Sequence, residues 1–246
     1  MEKTNNKEPV LKIVDLKKSF GDNHVLNGFS LELYKGESLV IMGKSGSGKS
    51  VMIKCLMGLL VHDSGLIEIM GHDLSKLTLN QLNDLRSQIG FLFQGSALYD
   101  SMTVRENLEF PLRKNKEKFK QKDALVLEAL ESVGLAHVMD LMPEELSGGM
   151  KRRVALARAI ILKPKIIIYD EPTTGLDPIT SKEIIQLMRD IQEKYGASSL
   201  IITHDVDCAR VIANRMILLI DGVNYAEGSF AELALSTDKN IKAFFK

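Results

Sequence analysis

The stretch Leu39-Val-Ile-Met-Gly-Lys-Ser-Gly-Ser-Gly-Lys-Ser-Val51 decides the fold class. Its first four residues form a short apolar run, which is typical of a buried β-strand. Gly43 to Ser50 then match the pattern G-x-x-x-x-G-K-[ST], and a helical pattern begins at Val51. Strand, glycine-rich loop and helix in this order predict a phosphate-binding loop, because glycines let backbone N–H groups turn inward around phosphate oxygens.

Two side chains of this loop receive roles from the motif. Lys49 would reach the β- and γ-phosphates of a nucleotide, and the hydroxyl of Ser50 would bind Mg²⁺. The candidate nucleotide-binding residues of the stretch are Gly43, Lys44, Ser45, Gly46, Ser47, Gly48, Lys49, Ser50 and Val51. The expected ligands of this loop are therefore a nucleoside triphosphate and Mg²⁺.

A second candidate region is Ile-Ile-Ile-Tyr-Asp-Glu at residues 166–171, where an apolar strand ends in two carboxylates. Taken alone, two acids after a strand are more often a solvated turn or a helix cap. In a chain with a phosphate loop, such a strand end brings acids to the same crevice. Asp170 would hold Mg²⁺ through water, and Glu171 would act on the nucleophilic water as a general base or orienting group.

A third candidate region is Leu146-Ser-Gly-Gly-Met150, which stands before a strongly helical segment. Ser147 is a good helix N-cap residue, and helix N-termini attract anions. Capping does not explain Gly148 and Gly149, which weaken a helix and permit close backbone approach. A single chain needs only one helix N-terminus to bind a γ-phosphate. A second such N-terminus therefore indicates a site that is completed by another subunit.

The rest of the chain predicts an α/β fold with a mostly parallel core sheet flanked by helices. Residues 11–16 and 29–33 alternate between apolar and polar, which predicts an N-terminal antiparallel β-subdomain, and residues 66–70 are assigned to the same sheet. Residues 74–161 are mostly helical in pattern, and Gly134 is the expected C-cap of one helix. The predicted buried strands are Leu39–Met42, Lys165–Tyr169, Ser199–Thr203 and Met216–Ile220.

The length of 246 residues suits one large domain. We predict a single domain over residues 1–246, in which about 1–90 and 162–246 form the core with its antiparallel β-subdomain. Residues at about 91–161 form an inserted helical subdomain.

Charge and hydrophobicity exclude several classes of protein. Lysine plus arginine equals aspartate plus glutamate at 32 each, so no net field attracts nucleic acid or an anionic membrane. No apolar run approaches the ~18 residues of a membrane span, and the polar start lacks the apolar core of a secretory signal. A cytoplasmic location is expected.

The basic stretch at 113–122 could bind lipid headgroups or nucleic acid, but a solvated loop and helix start is favoured. Cys55 and Cys208 are expected to be buried free thiols.

Together these motifs resemble the ATPase subunits of ABC transporters over nearly the whole chain. Gly43 to Ser50 resemble the Walker A loop, residues 166–171 resemble the Walker B strand with its catalytic glutamate, and residues 146–150 resemble the ABC signature. The resemblance implies a P-loop NTPase fold of the ABC type.

Four more residues take roles from this resemblance. Gln94 resembles the Q-loop glutamine that contacts Mg²⁺ and couples the site to the channel, and Asp177 resembles the D-loop aspartate. His204 resembles the switch histidine that contacts the γ-phosphate, and Phe20 takes the place of the aromatic residue that stacks on adenine. Outside this context His204 would be an ordinary strand-end histidine and Phe20 an ordinary core residue.

The resemblance also implies an assembly. Two chains would form a head-to-tail homodimer, with each ATP held by Lys49 and Ser50 of one chain and by Ser147 to Gly149 of the other. Integral membrane permease subunits would bind this dimer at the cytoplasmic face of the cell membrane. A nucleic-acid partner is not expected.

Finer features resemble one subfamily. Met150 stands where glutamine is usual, and Phe-Gln-Gly-Ser-Ala-Leu-Tyr-Asp-Ser-Met-Thr-Val-Arg-Glu-Asn at 93–107 is similar to the ATPases of MCE-protein lipid transporters such as the Mla phospholipid system. Residues 110–113 and 240–246 are similar as well. This implies lipid transport with an MCE-domain protein. Such ATPases can extend further to bind a small regulatory partner, so that partner is left open.

Two other functions share these motifs. One is an importer for amino acids or another small solute, and the other is a soluble ABC ATPase such as one for iron–sulfur assembly. Chromosome-maintenance ATPases are excluded, because they need a very long coiled-coil insertion between the Walker motifs.

Overall fold

The computed structural model of the protein describes residues 8–245. The chain divides into two structural units. The first combines the chain up to Arg86 with the chain from Ser198 onward, and the second is Ser87–Ala197. The sequence-based division differs, because it placed residues 87–90 and 162–197 with the core. The single domain over 1–246 stays a prediction.

The strands and helices are numbered in chain order. The strands are β1 (Pro9–Phe20), β2 (Asn23–Tyr34), β3 (Ser38–Met42), β4 (Ser64–Ile69), β5 (His72–Asp73), β6 (Ile89–Leu92), β7 (Ile166–Asp170), β8 (Ser198–Thr203), β9 (Arg215–Ile220) and β10 (Val223–Gly228). The α-helices are α1 (Lys49–Leu56), α2 (Leu79–Arg86), α3 (Val104–Glu109), α4 (Lys116–Lys120), α5 (Lys122–Glu131), α6 (Gly148–Ile160), α7 (Pro178–Tyr195), α8 (Val206–Ile212), α9 (Phe230–Ala234) and α10 (Lys239–Lys242). Short 3₁₀ helices lie at Leu74–Lys76, Phe110–Lys114, Ala136–Val138 and Pro143–Glu145.

The first unit contains an antiparallel sheet with the strand order β2-β1-β4-β5. Ile13 of β1 pairs with Leu31 on one side and with Ile67 on the other, and all three side chains are buried. Because successive side chains of a strand point to opposite faces, the alternating pattern leaves one face of this sheet buried. The predicted antiparallel β-subdomain is confirmed, including the assignment of the 66–70 segment.

The first unit also contains parallel strands around β3. This strand pairs in parallel with β8 and with β9, so that Ile41 faces Ile202 on one side and Ile217 on the other. Strand β10 pairs with β9 in the antiparallel direction. All five residues of β3 are buried, as expected for a strand covered on both faces. The predicted strands at 39–42, 199–203 and 216–220 are confirmed.

The second unit has two parallel strands and most of the long helices. Strand β6 pairs with β7 from Ile89 opposite Ile166 to Leu92 opposite Tyr169. Helix α6 packs against β6 so closely that a Cβ atom on Gly90 would lie 2.4 Å from the carbonyl oxygen of Ala159. The strand predicted at 165–169 is confirmed as β7. Strand β6 lies inside the stretch predicted to be mostly helical.

Helix α5 is followed by the glycine that the sequence predicted would end it. The helix ends at Glu131, and the chain turns away at Gly134, whose φ of 70° is left-handed. The N–H of Leu135 then donates to the carbonyl oxygen of Leu130 at 2.9 Å. This bond is typical of a glycine-terminated helix, so the helix-ending role predicted for Gly134 is confirmed.

Three further expectations concern membrane-spanning helices, the two cysteines and the basic stretch at 113–122. Across residues 8–245, no helix combines the length and the apolar character that crossing a bilayer requires. Cys55 and Cys208 are buried free thiols, as predicted, and burial raises the pKa of the Cys55 thiol. The basic stretch at 113–122 is largely exposed around the start of α4, which fits a solvated segment.

Candidate functional site

The phosphate loop lies in the first unit between β3 and α1. Gly46 and Gly48 have φ values of 79° and 102°, a left-handed conformation that glycine adopts without steric cost. In the described structure no side chain caps the start of α1, and its first turn carries no acidic residue. A helix start of this kind attracts anions through its backbone N–H groups.

Packing also requires two of the loop glycines. A Cβ atom on Gly43 would lie 2.4 Å from the hydroxyl of Ser47 and 2.9 Å from the carbonyl oxygen of Leu219. A Cβ atom on Gly48 would lie 3.0 Å from the carbonyl oxygen of Val25. Any other residue at Gly43 would therefore displace the loop from its strand.

The polar groups inside the loop fit a phosphate. The Lys49 ammonium donates to the carbonyl oxygens of Gly43 at 2.5 Å and Lys44 at 3.0 Å, so it stays within the loop. The hydroxyl of Ser47 is buried and has no hydrogen-bond partner among the described residues. A buried polar atom without a partner is costly, and a phosphate oxygen would supply one.

A cleft of about 550 Å³ opens beside this loop within the first unit. Its lining includes Asn23, His24, Val25, Lys44, Ser45, Gly46, Ser47, Asp221, Gly222, Tyr225, Asn240 and Phe244. Sequence reasoning missed the C-terminal members of this set, because no motif or spacing links them to the loop. Their place beside the loop comes from the tertiary fold.

Phe20 and His204 were predicted to contact the nucleotide from this unit. Phe20 ends β1 opposite Asn23, is 49% exposed, and has the Lys18 ammonium 5.5 Å from its ring centroid. It lies outside the lining of the cleft. His204 is exposed and directly follows Thr203, which pairs with Met42 at the end of β3. The fold therefore brings His204 and the phosphate loop to the same edge of parallel strands.

The second unit positions Gln94, Asp170 and Glu171 in the same manner. Leu92 and Tyr169 are paired near the ends of the parallel strands β6 and β7, so these three residues follow at one edge. Gln94 is exposed and Asp170 is half-buried. Glu171 is 8% exposed, has a left-handed φ of 50°, and accepts a hydrogen bond of 3.2 Å from the hydroxyl of Thr174. A left-handed non-glycine residue is strained, and such strain is often found at functional sites.

The signature segment forms the start of α6. The Ser147 hydroxyl caps the helix by accepting from the N–H of Met150 at 3.2 Å. A Cβ atom on Gly149 would lie 2.8 Å from a methyl carbon of Thr180, whereas Gly148 has open space around it. Packing within the chain is therefore one reason for glycine at position 149, and the contact of both glycines with another subunit stays a prediction. At Gly148 no described atom within 4 Å offers such a packing reason.

Asp177 caps α7 beside this segment. Its carboxylate accepts hydrogen bonds from the N–H groups of Ile179 and Thr180 at 3.0 Å each and from the Thr180 hydroxyl at 2.5 Å. The hydroxyl bond lowers the pKa of Asp177 from its usual 3.8, and the amide bonds add to the effect. Since Thr180 also packs against Gly149, this threonine links the cap of α7 to the start of α6.

The predicted site residues thus fall into two groups, one in each unit. The first unit holds Phe20, residues 43–51 and His204, and the second holds Gln94, residues 147–149, Asp170, Glu171 and Asp177. Among residues 8–245, no group of three or more histidine, cysteine, aspartate or glutamate side chains could hold a metal ion. The Mg²⁺ ligands Ser50, Gln94 and Asp170 stay a prediction.

A glycine-rich loop between a buried parallel strand and a helix defines the class of P-loop nucleotide-binding domains. Comparison with known proteins narrows this class. A sequence model of the ABC transporter family matches residues 26–174, which is more than half of the chain. The chain belongs to the ABC transporter family.

Curated relatives include two methionine import ATP-binding proteins named MetN. The protein from Rhizobium etli is 41% identical over 90% of this chain and 61% of its own length. The protein from Campylobacter jejuni is 38% identical over 96% of this chain and 75% of its own length. The chain therefore spans about three fifths of the length of the first relative. These names do not support the resemblance to lipid-transport ATPases.

Solved structures agree on the fold. The ATP-binding cassette MJ0796, in a dimeric post-hydrolysis state bound to ADP and Pi, has a TM-score of 0.80 and 33% identity over 89% of this chain and 98% of that chain. CbiO1 from Clostridium perfringens, part of the ABC transporter complex cbiONQ, has a TM-score of 0.86 and 28% identity over 98% of this chain and 96% of that chain. The predicted fold class is confirmed, and the chain is an ATPase domain of the ABC type.

Proposed function

We propose that this chain hydrolyses ATP as the motor subunit of a membrane transporter. The observation that carries the proposal is the phosphate loop, in which Lys49 is held over loop carbonyls while the buried Ser47 hydroxyl has no protein partner in the described structure. Both groups suit the oxygens of a nucleotide phosphate.

Binding would follow from this geometry. Residues 43–51 would hold the phosphates with backbone N–H groups, and the Lys49 ammonium would neutralise charge on the β- and γ-phosphates. Ser50, Gln94 and Asp170 would hold Mg²⁺, which offsets the negative charge that develops during phosphoryl transfer. Phe20, exposed at the end of β1, would stack on the adenine ring.

Hydrolysis would depend on the position of Glu171. Thr174 donates to one carboxylate oxygen of this residue at 3.2 Å, and this bond would help to hold the carboxylate where it could orient and deprotonate a water molecule. His204 would donate a hydrogen bond to the γ-phosphate. Catalysis would therefore consist of positioning and charge neutralisation, as is general for phosphoryl transfer.

A homodimer would complete each site. The Ser147 cap and the open space around Gly148 leave the start of α6 accessible to a γ-phosphate held by a second chain. Asp177 would lie at the same interface. The dimeric state of the solved cassette supports this arrangement.

The cargo is proposed from the relatives. Their names as methionine import ATP-binding proteins favour an importer for a small solute such as an amino acid. Its partners would be permease subunits in the cell membrane and a substrate-binding protein, with this chain bound peripherally at the cytoplasmic face.

Lipid transport is the second candidate for the cargo. The observation that favours it is local, namely Met150 in the signature together with the 93–107 segment, which resembles the ATPases of MCE-protein systems. In that case an MCE-domain protein would replace the substrate-binding protein of an importer, and a small regulatory subunit could join the complex.

Co-purification from native membranes tests the proposal and separates the two cargoes. The tagged chain is solubilised gently with its partners, which are then identified by mass spectrometry, and the tagged Ser147→Arg variant serves as a control for dimer-dependent assembly. A solute-importer permease supports the first candidate, and a permease with an MCE-domain protein supports the second. Recovery of soluble partners alone, such as iron–sulfur scaffold proteins, would refute the transport function.

A further inference from the structure

Arg152 is the buried arginine of helix α6. Only 3% of the residue is exposed, yet its guanidinium donates to two backbone carbonyl oxygens, those of Phe93 at 3.0 Å and Thr174 at 3.1 Å. Its Nε atom is buried and has no hydrogen-bond partner among the described residues. Arg152 therefore joins one helix to two loops that are distant in sequence.

No described carboxylate compensates the charge of this guanidinium. In the described part of the chain, Arg152 forms no ion pair with a carboxylate, and burial lowers the pKa of its side chain. Burying a cation without a carboxylate partner is unfavourable, and an apolar residue of similar volume is often at least as stable. Stability alone is a poor explanation for an arginine at this position, so the two carbonyl contacts point to a positioning role.

Both contacted loops hold strained residues next to the proposed catalytic groups. Phe93 precedes Gln94 in a loop where Ser96 and Ala97 have φ values of 71° and 46°. Thr174 ends the turn that begins at Glu171, whose φ is 50°. Strained conformations of this kind persist only where the surrounding structure holds them. Arg152 supplies one such contact to each loop.

A second arginine of α6 supports the same loop. Arg158 donates to the carbonyl oxygen of Ser96 at 3.0 Å, so the 93–96 segment is attached to the helix at both ends. The helix starts at Gly148 and is capped by Ser147, about one turn before Arg152. A displacement at the helix start would therefore be transmitted directly to the loops that carry Gln94 and Glu171.

We propose that Arg152 is a positioning residue that couples the signature segment, residues 147–149, to the loops of the same chain that carry Gln94 and Glu171. The inference rests on the proposed dimer, in which the signature segment contacts the ATP bound by the partner. Occupancy of the partner's site would then set the hydrolytic competence of this chain's own site. The two sites of a dimer would hydrolyse ATP cooperatively.

Kinetics of three variants test this coupling. Arg152→Met removes every donor while keeping an apolar side chain of similar length, and Arg152→Lys keeps the charge but cannot contact both carbonyls in the fixed geometry of a guanidinium. Arg153→Met is the matched control, because the neighbouring arginine pairs instead with Glu183 at 2.6 Å. The readouts are kcat, the Hill coefficient for ATP, the ATP dissociation constant and the midpoint of thermal unfolding.

We expect Arg152→Met to keep the ATP dissociation constant of the isolated chain, to lower kcat about tenfold or more, and to reduce the Hill coefficient towards 1. Arg152→Lys should recover part of kcat, and Arg153→Met should match the unmodified chain. An unmodified kcat and Hill coefficient in Arg152→Met would overturn the proposal. Should that variant fail to fold, unmodified values in Arg152→Lys would overturn it equally. Failure of the proposed function is a different result, because the unmodified chain itself would then not hydrolyse ATP.

Discussion

The phosphate loop of the first unit and the loops of the second unit that carry Gln94 and Glu171 reach similar backbone conformations by opposite means. In the phosphate loop, the left-handed positions are Gly46 and Gly48, with φ values of 79° and 102°. In the second unit, the left-handed positions include Glu171 at 50° and Ser96 at 71°, which carry side chains. Glycine adopts this conformation freely, whereas other residues need external contacts to hold it.

This difference separates two ways to build a site. Binding a phosphate requires backbone N–H groups and no side chain. Glycine therefore suits both the left-handed conformation of the loop and the binding of phosphate. The proposed orientation of water by Glu171 requires a carboxylate, so glycine could not serve at that position. The protein holds that carboxylate with Thr174 and holds the Thr174 carbonyl with Arg152. A loop whose left-handed positions are glycines can thus be encoded locally, while a loop whose left-handed positions carry side chains depends on its surroundings.

The largest expected effect tests the need for a side chain at Glu171. Glu171→Gln keeps the shape and the hydrogen bond from Thr174 but removes the base. We expect steady-state ATP hydrolysis to fall by about 10²- to 10⁴-fold with ATP affinity preserved, as is usual when a general base is lost. Hydrolysis assays and equilibrium nucleotide titration measure the two quantities. Glu193→Gln, on the exposed face of α7, is the control, and hydrolysis at the unmodified rate in Glu171→Gln would refute the assignment.

An effect of intermediate size is expected when a left-handed glycine and a left-handed alanine are each substituted and the changes in the free energy of unfolding are compared. Gly48→Ala adds a Cβ atom at a φ of 102° and 3.0 Å from the Val25 carbonyl oxygen, so we expect the free energy of unfolding to fall by about 1–3 kcal/mol. Ala97→Gly relieves a left-handed alanine at a φ of 46°, but it adds flexibility to the unfolded chain. The two terms nearly cancel, and we expect a change within about 1 kcal/mol.

Urea unfolding of both variants measures this contrast, and Gly48→Ala should also bind ATP more weakly. A larger loss of stability in Ala97→Gly than in Gly48→Ala would break the comparison between the two loops.

The smallest expected effect concerns the cap of α7. The hydrogen bond from the Thr180 hydroxyl lowers the pKa of Asp177, so the folded carboxylate titrates below its usual 3.8. Its contribution to stability is present above the unfolded pKa and is lost as the pH falls through the folded pKa. An NMR titration of the side-chain carboxyl should show a midpoint below 3.8. Thr180→Val removes the hydroxyl and should raise this midpoint, and an unchanged midpoint would show that the Thr180 hydroxyl does not cause the shift.

Much of the fold could be predicted from the sequence, because its signals are local. The apolar runs at 39–42 and 199–203 became buried parallel strands, and Gly134 ends a helix as its residue type suggests. The bounds of the two units were harder to predict from the sequence. Strand β7 follows the helical stretch in sequence, yet it groups with helix α6 because it pairs with β6.

Some residues of the candidate site could be predicted from the sequence, and others could not. The motif gave Lys49 and Ser50 by residue type and spacing alone. The sequence suggested a second subunit as a reason for Gly149. It did not reveal the contact with Thr180, which lies 31 positions along the chain and carries no local signal. The sequence likewise carries no local signal that places Phe244 in the cleft beside the phosphate loop.

By itself, the sequence determined the phosphate loop and its flanking strand and helix, because glycine freedom and apolar patterning act over a few neighbouring residues. Only the tertiary structure decided that Glu171 is held in a left-handed conformation and that Arg152 is buried against two loops. The Arg152 guanidinium reaches Phe93 across 59 positions and Thr174 across 22. Contacts at such separations arise when helices and strands pack, and residue types along the chain do not specify which carbonyl oxygen a buried guanidinium will meet.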